Sequence, residues 1–321
     1  MTQANGEAGP VIIVAGPTAS GKSALALGLA EAFGGEIVNA DSMQIYRELR
    51  ILTARPSAAE EARVPHHLYG VQPVTEVCSA GAWLRLAAAV IGQIRARGRL
   101  PIVCGGTGLY LKVLTEGIAP VPDVPDDIAG EARLLYEQEG GEAFRERLAA
   151  LDPEAAATLP AADRQRLTRA YGVVRATGRT LAHWQADQPD GPALDARFLT
   201  IVLDPPRDAL YARIDARFDV MIEEGALDEV AALAPLDPGP DLPAMKALGV
   251  PDFMRHLAGE CELAAAVEKA KQGTRNFAKR QFTWFRHQLT PDLRIADFGT
   301  EAAEAAHRAV ADFIGADRDG T

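Results

Sequence analysis

A chain of 321 residues can bury one large core or two smaller ones, and 48% hydrophobic with 24% charged residues is the composition of an ordinary globular protein. The net charge of −11 excludes a globally basic nucleic-acid binder but leaves room for a local basic surface. No apolar run reaches the roughly 18–20 residues that span a bilayer, because Arg85 interrupts "WLRLAAAVIGQI", and "MTQANGEAGP" lacks the features of a signal peptide, so a cytoplasmic location is expected.

Short apolar runs followed by helical patterns predict strands near 11–15, 36–40, 67–71 and 101–105, alternating with helices. The first strand runs into "GPTASGKS", where Gly16 and Gly21 have the spacing of a phosphate-binding loop. The loop Gly16, Pro17, Thr18, Ala19, Ser20 and Gly21 would turn the N–H groups of its residues other than Pro17 inward, and the helix opening at Lys22 adds its positive N-terminal field. Lys22 would neutralise a bound di- or triphosphate, and Ser23 can ligate Mg²⁺.

The second strand ends at Asp41 and Ser42, on the sheet edge where open α/β sheets bind ligands. Asp41 there can hold Mg²⁺, take a proton from a nucleophile, or cap a helix. The strand "LPIVCGGTGLYL" ends in Gly105-Gly106-Thr107, where a nucleotide hydrolase would carry a carboxylate. Two glycines allow a ligand to approach the backbone, and Thr107 offers a hydroxyl to a phosphate oxygen.

From 121 to 197 strand signals stop, and "DDIAGEARLLYEQEGGEAFRERLAAL" and "AADRQRLTRAYGVVRATGRTLAHW" read as helices. In the second, Asp163 can cap the helix, which puts Arg166 and Arg169 on one side next to Gln165; a solvated face is the other reading. A strand returns near 199–203. The fold class that follows is α/β, a P-loop-like parallel sheet flanked by helices (1–120 and 198–321) with an all-helical insertion (121–197).

Beyond Arg207 the pattern is mostly helical. In "YARIDARFDVM" Arg213 and Arg217 are four apart and share a face. From Lys269 to Pro291 there is no acid, while six Lys or Arg interleave with aromatics. Helical spacing puts Arg275, Lys279, Phe282 and Arg286 on one face, a candidate stripe for a nucleic-acid backbone, with the aromatics expected mainly in the core. The Ala-rich tail reads as one helix and a frayed end. Cys78, Cys104 and Cys261 form no CxxC pair or zinc pattern and are expected to be reduced packing residues. Nothing in the pattern demands a dimer.

The motifs "GPTASGKS", "NADSMQIY", "TARP", "VPHHL", "GGTGLYLKVL", "DRQRLTRAYGVVRATGRTL", "RIDARF" and "TRNFAKRQFTWFR", in this order, resemble those of the tRNA dimethylallyltransferases. The resemblance runs from about Val11 to Arg286. It implies transfer of a dimethylallyl group from its diphosphate to the exocyclic amine of the adenine 3′ of the tRNA anticodon, with Mg²⁺. The phosphate loop would then hold the prenyl diphosphate. By the same resemblance Asp41 is the general base, and Lys22, Thr107 and Arg217 serve the diphosphate. Asp41, Ser42, Met43, Gln44, Thr107, Gln165, Arg166, Leu167, Thr168, Arg169, Arg275, Lys279 and Arg280 would meet tRNA. Leu52, Ala129, Val250 and Pro251 depart from the family's usual residues. A P-loop kinase, an adenylate isopentenyltransferase and a non-catalytic RNA-binding P-loop protein are the competing readings.

Overall fold

The structure is a computed structural model that describes residues 8–187 and 191–315. The first seven residues of the opening read against a signal peptide, and the tail end expected to fray, lie outside that range. The chain divides into two units, Met1–Thr115 with Pro192–Thr321, and Glu116–Gly191.

The first unit begins β1 (Gly9–Ala15), α1 (Lys22–Phe33), β2 (Gly35–Asn39), α2 (Ala58–Arg63), β3 (His66–His67), α3 (Ala80–Ala96), β4 (Leu100–Gly105) and α4 (Gly108–Glu116). The second unit carries α5 (Asp126–Ala149), α6 (Pro153–Thr158), α7 (Arg164–Thr177) and α8 (Leu181–Ala186). The chain then returns through β5 (Ala196–Leu203), α9 (Arg207–Glu223), α10 (Ala226–Ala231), α11 (Val250–Leu257), α12 (Leu263–Gln288), β6 (Leu293–Ile295) and α13 (Thr300–Gly315).

All six strands are parallel, in the order β3-β2-β4-β1-β5-β6. Both faces of such a sheet are covered, which is why β1 reads as an unbroken apolar run rather than an alternating one. Its side chains still alternate: Val11, Ile13 and Ala15 enter the core with Val38, Val103 and Trp83, and Ile12 and Val14 enter the other with Leu29, Ile37 and Ile102. The Trp83 indole N–H donates to the Asn39 carbonyl at 2.8 Å and its ring stacks on Tyr110 at 4.4 Å, which fixes α3 and α4 to the sheet. The strand β6 is absent from the sequence reading, because three residues with a central Arg294 carry no periodicity. β3 is two residues long, and only His67 of it falls within the five expected near 67–71.

Among the charged groups the sheet buries is Glu36, 5% exposed, held by Arg97 at 2.7 Å and within 2.7 Å of His67 Nε2. Burial pushes this carboxyl up, but the Arg97 and His67 hydrogen bonds outweigh it and its pKa lies below 4.5. The contribution is therefore full above pH 4.5 and lost as pH falls through the lower folded value. Glu36→Gln is expected to cost about 1 kcal/mol at neutral pH, discounted for the exposed Arg97, with the deficit closing in acid. Urea midpoints for both proteins at neutral pH and well below pH 4.5 check it.

In the second unit, α5 is broken at Gly140, whose φ of 77° and ψ of 164° suit glycine alone. The two halves pack on α7 through Ala132, Phe144, Leu148, Leu167 and Tyr171. Leu167, expected at tRNA, is 0% exposed in this core, because the same helical period that exposes Gln165 and Arg166 turns it inward. No helix among the described residues is long and apolar enough to cross a membrane.

Candidate active site

β1 delivers the chain to the phosphate loop at the carboxyl edge of the sheet. A Cβ on Gly16 would lie 2.7 Å from Ser20 Oγ and 3.1 Å from the Leu203 carbonyl, so this turn has no room for a side chain. Gly21 needs φ 87°, and Ala19 holds φ 63° despite its methyl, a strain typical of functional loops. No side chain caps α1, which leaves its first N–H groups for another acceptor. Ser20 Oγ is buried and has no hydrogen-bond partner among the described residues. Ser23 is exposed one residue into α1.

Lys22 is 9% exposed, and its Nζ donates to the Pro17 carbonyl at 3.3 Å. Burial lowers its pKa, opposed by the charge of Asp41 and reinforced by Arg217. Arg217 donates through Nη2 to Thr18 Oγ1 at 2.5 Å, while its buried Nε has no partner among the described residues. Burial lowers the Arg217 pKa too, with Asp41 opposing and Arg213 adding to the effect. The Arg213 guanidinium lies 4.3 Å over the Phe298 ring and 4.0 Å from where a Gly21 Cβ would be, so Arg213 and Arg217 of α9 both flank the loop. Buried cations with so little counter-charge are suited to a multiply charged anion.

Asp41 sits in a turn, not at a helix N-terminus. Its Oδ1 accepts the Met43 N–H at 3.0 Å, and its own N–H donates to Asn39 Oδ1 at 2.7 Å. Asn39, fully buried, also donates to the Asp41 and Leu68 carbonyls, so a side chain that sequence reasoning passed over fixes the Asp41 backbone. Thr107 Oγ1 accepts the Ser42 N–H at 2.9 Å and donates to Ser42 Oγ at 3.2 Å, which ties this turn to the start of α4. Met43 is half-buried against the core, and Gln44, 9% exposed, spends its amide on the Thr53 and Ala54 carbonyls. The Nε2 group of Gln44, expected at tRNA, therefore shapes the site from inside.

The close backbone approach expected of Gly105 and Gly106 is made by protein. A Cβ on Gly105 would meet the Ala40 carbonyl at 2.1 Å, and one on Gly106 would meet Gln281 Nε2 at 2.5 Å. Before them, burial pushes the Cys104 thiol up to about 11, so β4 brings a neutral group where a hydrolase would bring a carboxylate. Among the described residues no three His, Cys, Asp or Glu cluster for a metal. Mg²⁺ favours oxygen ligands and commonly takes one or two from protein and the rest from phosphate and water. The exposed Ser23 hydroxyl suits an ion that arrives with a diphosphate.

A family model described as IPP transferase matches residues 44–288, and one described as isopentenyl transferase matches 9–69. The chain belongs to the IPP transferase family. A protein of Rhodospirillum centenum named tRNA dimethylallyltransferase is 56% identical over 286 residues, 89% of this chain and 91% of that one. Among solved structures, the tRNA isopentenylpyrophosphate transferase of Bacillus halodurans matches at TM-score 0.67 and 32% identity, covering 95% of this chain and 96% of that one. A eukaryotic dimethylallyltransferase acting on tRNA matches at TM-score 0.80 and 28% identity, covering 96% and 80%.

Within this IPP transferase the expected basic stripe of α12 is redrawn. Arg275 pairs with Asp215 at 2.6 Å, Arg286 with Asp204 at 3.6 Å, Lys271 with Asp219 at 2.6 Å and Lys269 with Asp252 at 3.5 Å. Phe282 is 3% exposed in an apolar cluster with Leu210 and Ile214. Lys279 and Arg280 alone of the six cations have no ion-pair partner among the described residues, and with Thr283, Trp284 and His287 they line an open cavity of about 570 Å³. On α7, Asp163 caps the helix and pairs with Arg166 at 2.5 Å; Gln165, Arg166 and Arg169 are exposed, and Thr168 donates to the Arg164 carbonyl. Leu52, one of the family departures, packs beside the glycine that precedes two others: a Cβ on Gly249 would lie 3.1 Å from Leu52 Cδ2.

Proposed function

We propose that this protein transfers the dimethylallyl group of dimethylallyl diphosphate to the exocyclic amine of the adenine 3′-adjacent to the anticodon in tRNA, releasing diphosphate. The observation that carries the reading is a phosphate loop flanked by two partly unsatisfied cations, Lys22 and Arg217, with the Asp41 carboxylate beside them and no carboxylate at the end of β4. A kinase or hydrolase reading needs an acid at that last position. A non-catalytic role leaves Asp41 only its turn contact with the Met43 N–H.

In the reaction the adenine nitrogen attacks the prenyl C1, the C1–oxygen bond breaks, and its electron pair leaves with diphosphate. Negative charge grows on the leaving oxygen, where fixed donors stabilise it without reorganising. The loop amides, Ser20, Lys22 and the free Nε of Arg217 supply such donors. The Thr107 hydroxyl can swing its proton from Ser42 Oγ to a diphosphate oxygen while still accepting the Ser42 N–H. Asp41 takes the amine proton on Oδ2, since Oδ1 is engaged with Met43. Ser23 would hold a Mg²⁺ ion, which would supply further neutralisation of the leaving group when bound.

RNA contacts fall to exposed side chains: Gln165 for a base edge, and Arg169, Lys279, Arg280 and Arg166, the last drawn from its pair with Asp163, for phosphates. These basic positions favour tRNA over a free nucleotide. We place the activity in the cytoplasm, with a monomer as the working species. Labelled dimethylallyl transfer, offered in parallel to tRNA and to AMP with Mg²⁺, decides the reading. Label on tRNA alone supports it; label on AMP moves the protein to the nucleotide prenyltransferases, and label on neither overturns it. Arg166→Ala is expected to weaken tRNA binding and lower the slope of log affinity against log salt by about 1. An unchanged slope would remove Arg166 from the interface.

A further inference from the structure

The most distant contact of the phosphate loop in sequence comes from α12. Gln281, 5% exposed, accepts the Thr18 N–H on Oε1 at 2.9 Å and donates from Nε2 to the Gly106 carbonyl at 2.9 Å. One amide thus joins the loop that would hold the diphosphate to the residue preceding Thr107. Trp284, one turn along, packs so tightly on the other side of Thr107 that a Cβ on Gly108 would lie 2.3 Å from its ring. Thr18 is itself held from two sides, its N–H by Gln281 and its hydroxyl by Arg217. On the outer face of the same stretch of helix lie Lys279, Arg280 and Thr283, including the two cations that no carboxylate among the described residues pairs with.

We infer that Gln281 is a positioning residue that couples RNA docking on the outer face of α12 to the geometry of the phosphate loop. This rests on the tRNA prenyl-transfer reading above. A helix is stiff over two turns, so a phosphate backbone that draws Lys279 and Arg280 outward or along the axis carries Gln281 and Trp284 with it. Both hydrogen bonds of Gln281 are buried, where an unmade bond is costly, so the loop and the Gly106–Thr107 peptide follow the helix rather than detach from it. A strut with only a structural duty would stabilise the fold and nothing more. A coupling strut makes the two ligands report on each other.

The test measures the dissociation constant of a non-reactive prenyl thiodiphosphate with and without an anticodon stem-loop RNA, and that of the RNA with and without the analogue. In the wild-type protein each ligand is expected to strengthen the other by the same factor, about 5- to 50-fold. In Gln281→Leu that factor is expected to fall to about one while RNA affinity alone stays within about threefold. Gly106→Ala gives an independent route, since its Cβ displaces the Gln281 amide while leaving the residue in place; its coupling factor should fall likewise. Gln281→Glu, which keeps the acceptor for Thr18 N–H but loses the donor to Gly106, should retain part of the coupling. Wild-type coupling in the folded Gln281→Leu or Gly106→Ala protein would overturn the proposal, as would no coupling in a wild-type protein that prenylates tRNA. A wild-type protein that transfers no prenyl group to tRNA sinks the functional reading and this inference with it.

Discussion

Asp41→Asn is expected to lower single-turnover prenyl transfer by about 10²–10⁴-fold, with the affinities for prenyl diphosphate and tRNA within about threefold of wild type. The aromatic exocyclic amine is a weak nucleophile, and its attack on C1 leaves a proton that must go to a base. Asp41 is the carboxylate whose charge acts on both Lys22 and Arg217, so it lies at the cationic side of the loop. Its backbone is pinned by Asn39 and its Oδ1 by the Met43 N–H, which leaves Oδ2 in a fixed place. Asparagine keeps the shape and the Oδ1 contact but accepts no proton. The variant therefore separates proton transfer from binding. A fall in affinity with unchanged single-turnover rate would instead make Asp41 a binding residue.

The parts of this site legible in the sequence are those whose chemistry is contiguous. "GPTASGKS" declares a phosphate loop because strand, glycines and helix start follow one another, and Asp41 stands out because its strand ends there. The parts that were not legible depend on contacts made across the chain. Gln281 meets Thr18 across 263 positions, and Glu229 accepts the N–H groups of Arg50, Ile51 and Leu52 across 177 to 179. No local pattern marks either residue. The stripe on α12 shows the converse. Helical spacing gathers Arg275, Lys279, Phe282 and Arg286, but whether a cation is free is decided by carboxylates on α9 and after β5, which the spacing cannot see. The acid-free run was a sound signal of excess positive charge; the partners on neighbouring elements consumed most of it.

Lys22→Met is expected to lower turnover by about 10²–10³-fold, the scale for removing one fixed donor to developing charge. Its second consequence lies in proton linkage. Burial holds the Lys22 pKa below the ordinary 10.5, so in the interval between the two values the unfolded chain carries a proton that the folded chain has lost. Stability without diphosphate therefore gains with rising pH across that interval. A diphosphate beside Nζ favours the charged amine and raises its pKa again. Binding in the same interval must then take up a proton through this group. Calorimetric titration of prenyl diphosphate in two buffers of different ionisation enthalpy reads the uptake directly. The wild-type protein should show it at a pH below 10.5 within that interval, and Lys22→Met should not. Equal uptake in both would assign the proton to another group and leave Lys22 as a spectator of diphosphate binding, because a lysine in contact with the leaving group cannot keep a burial-lowered pKa once that charge arrives.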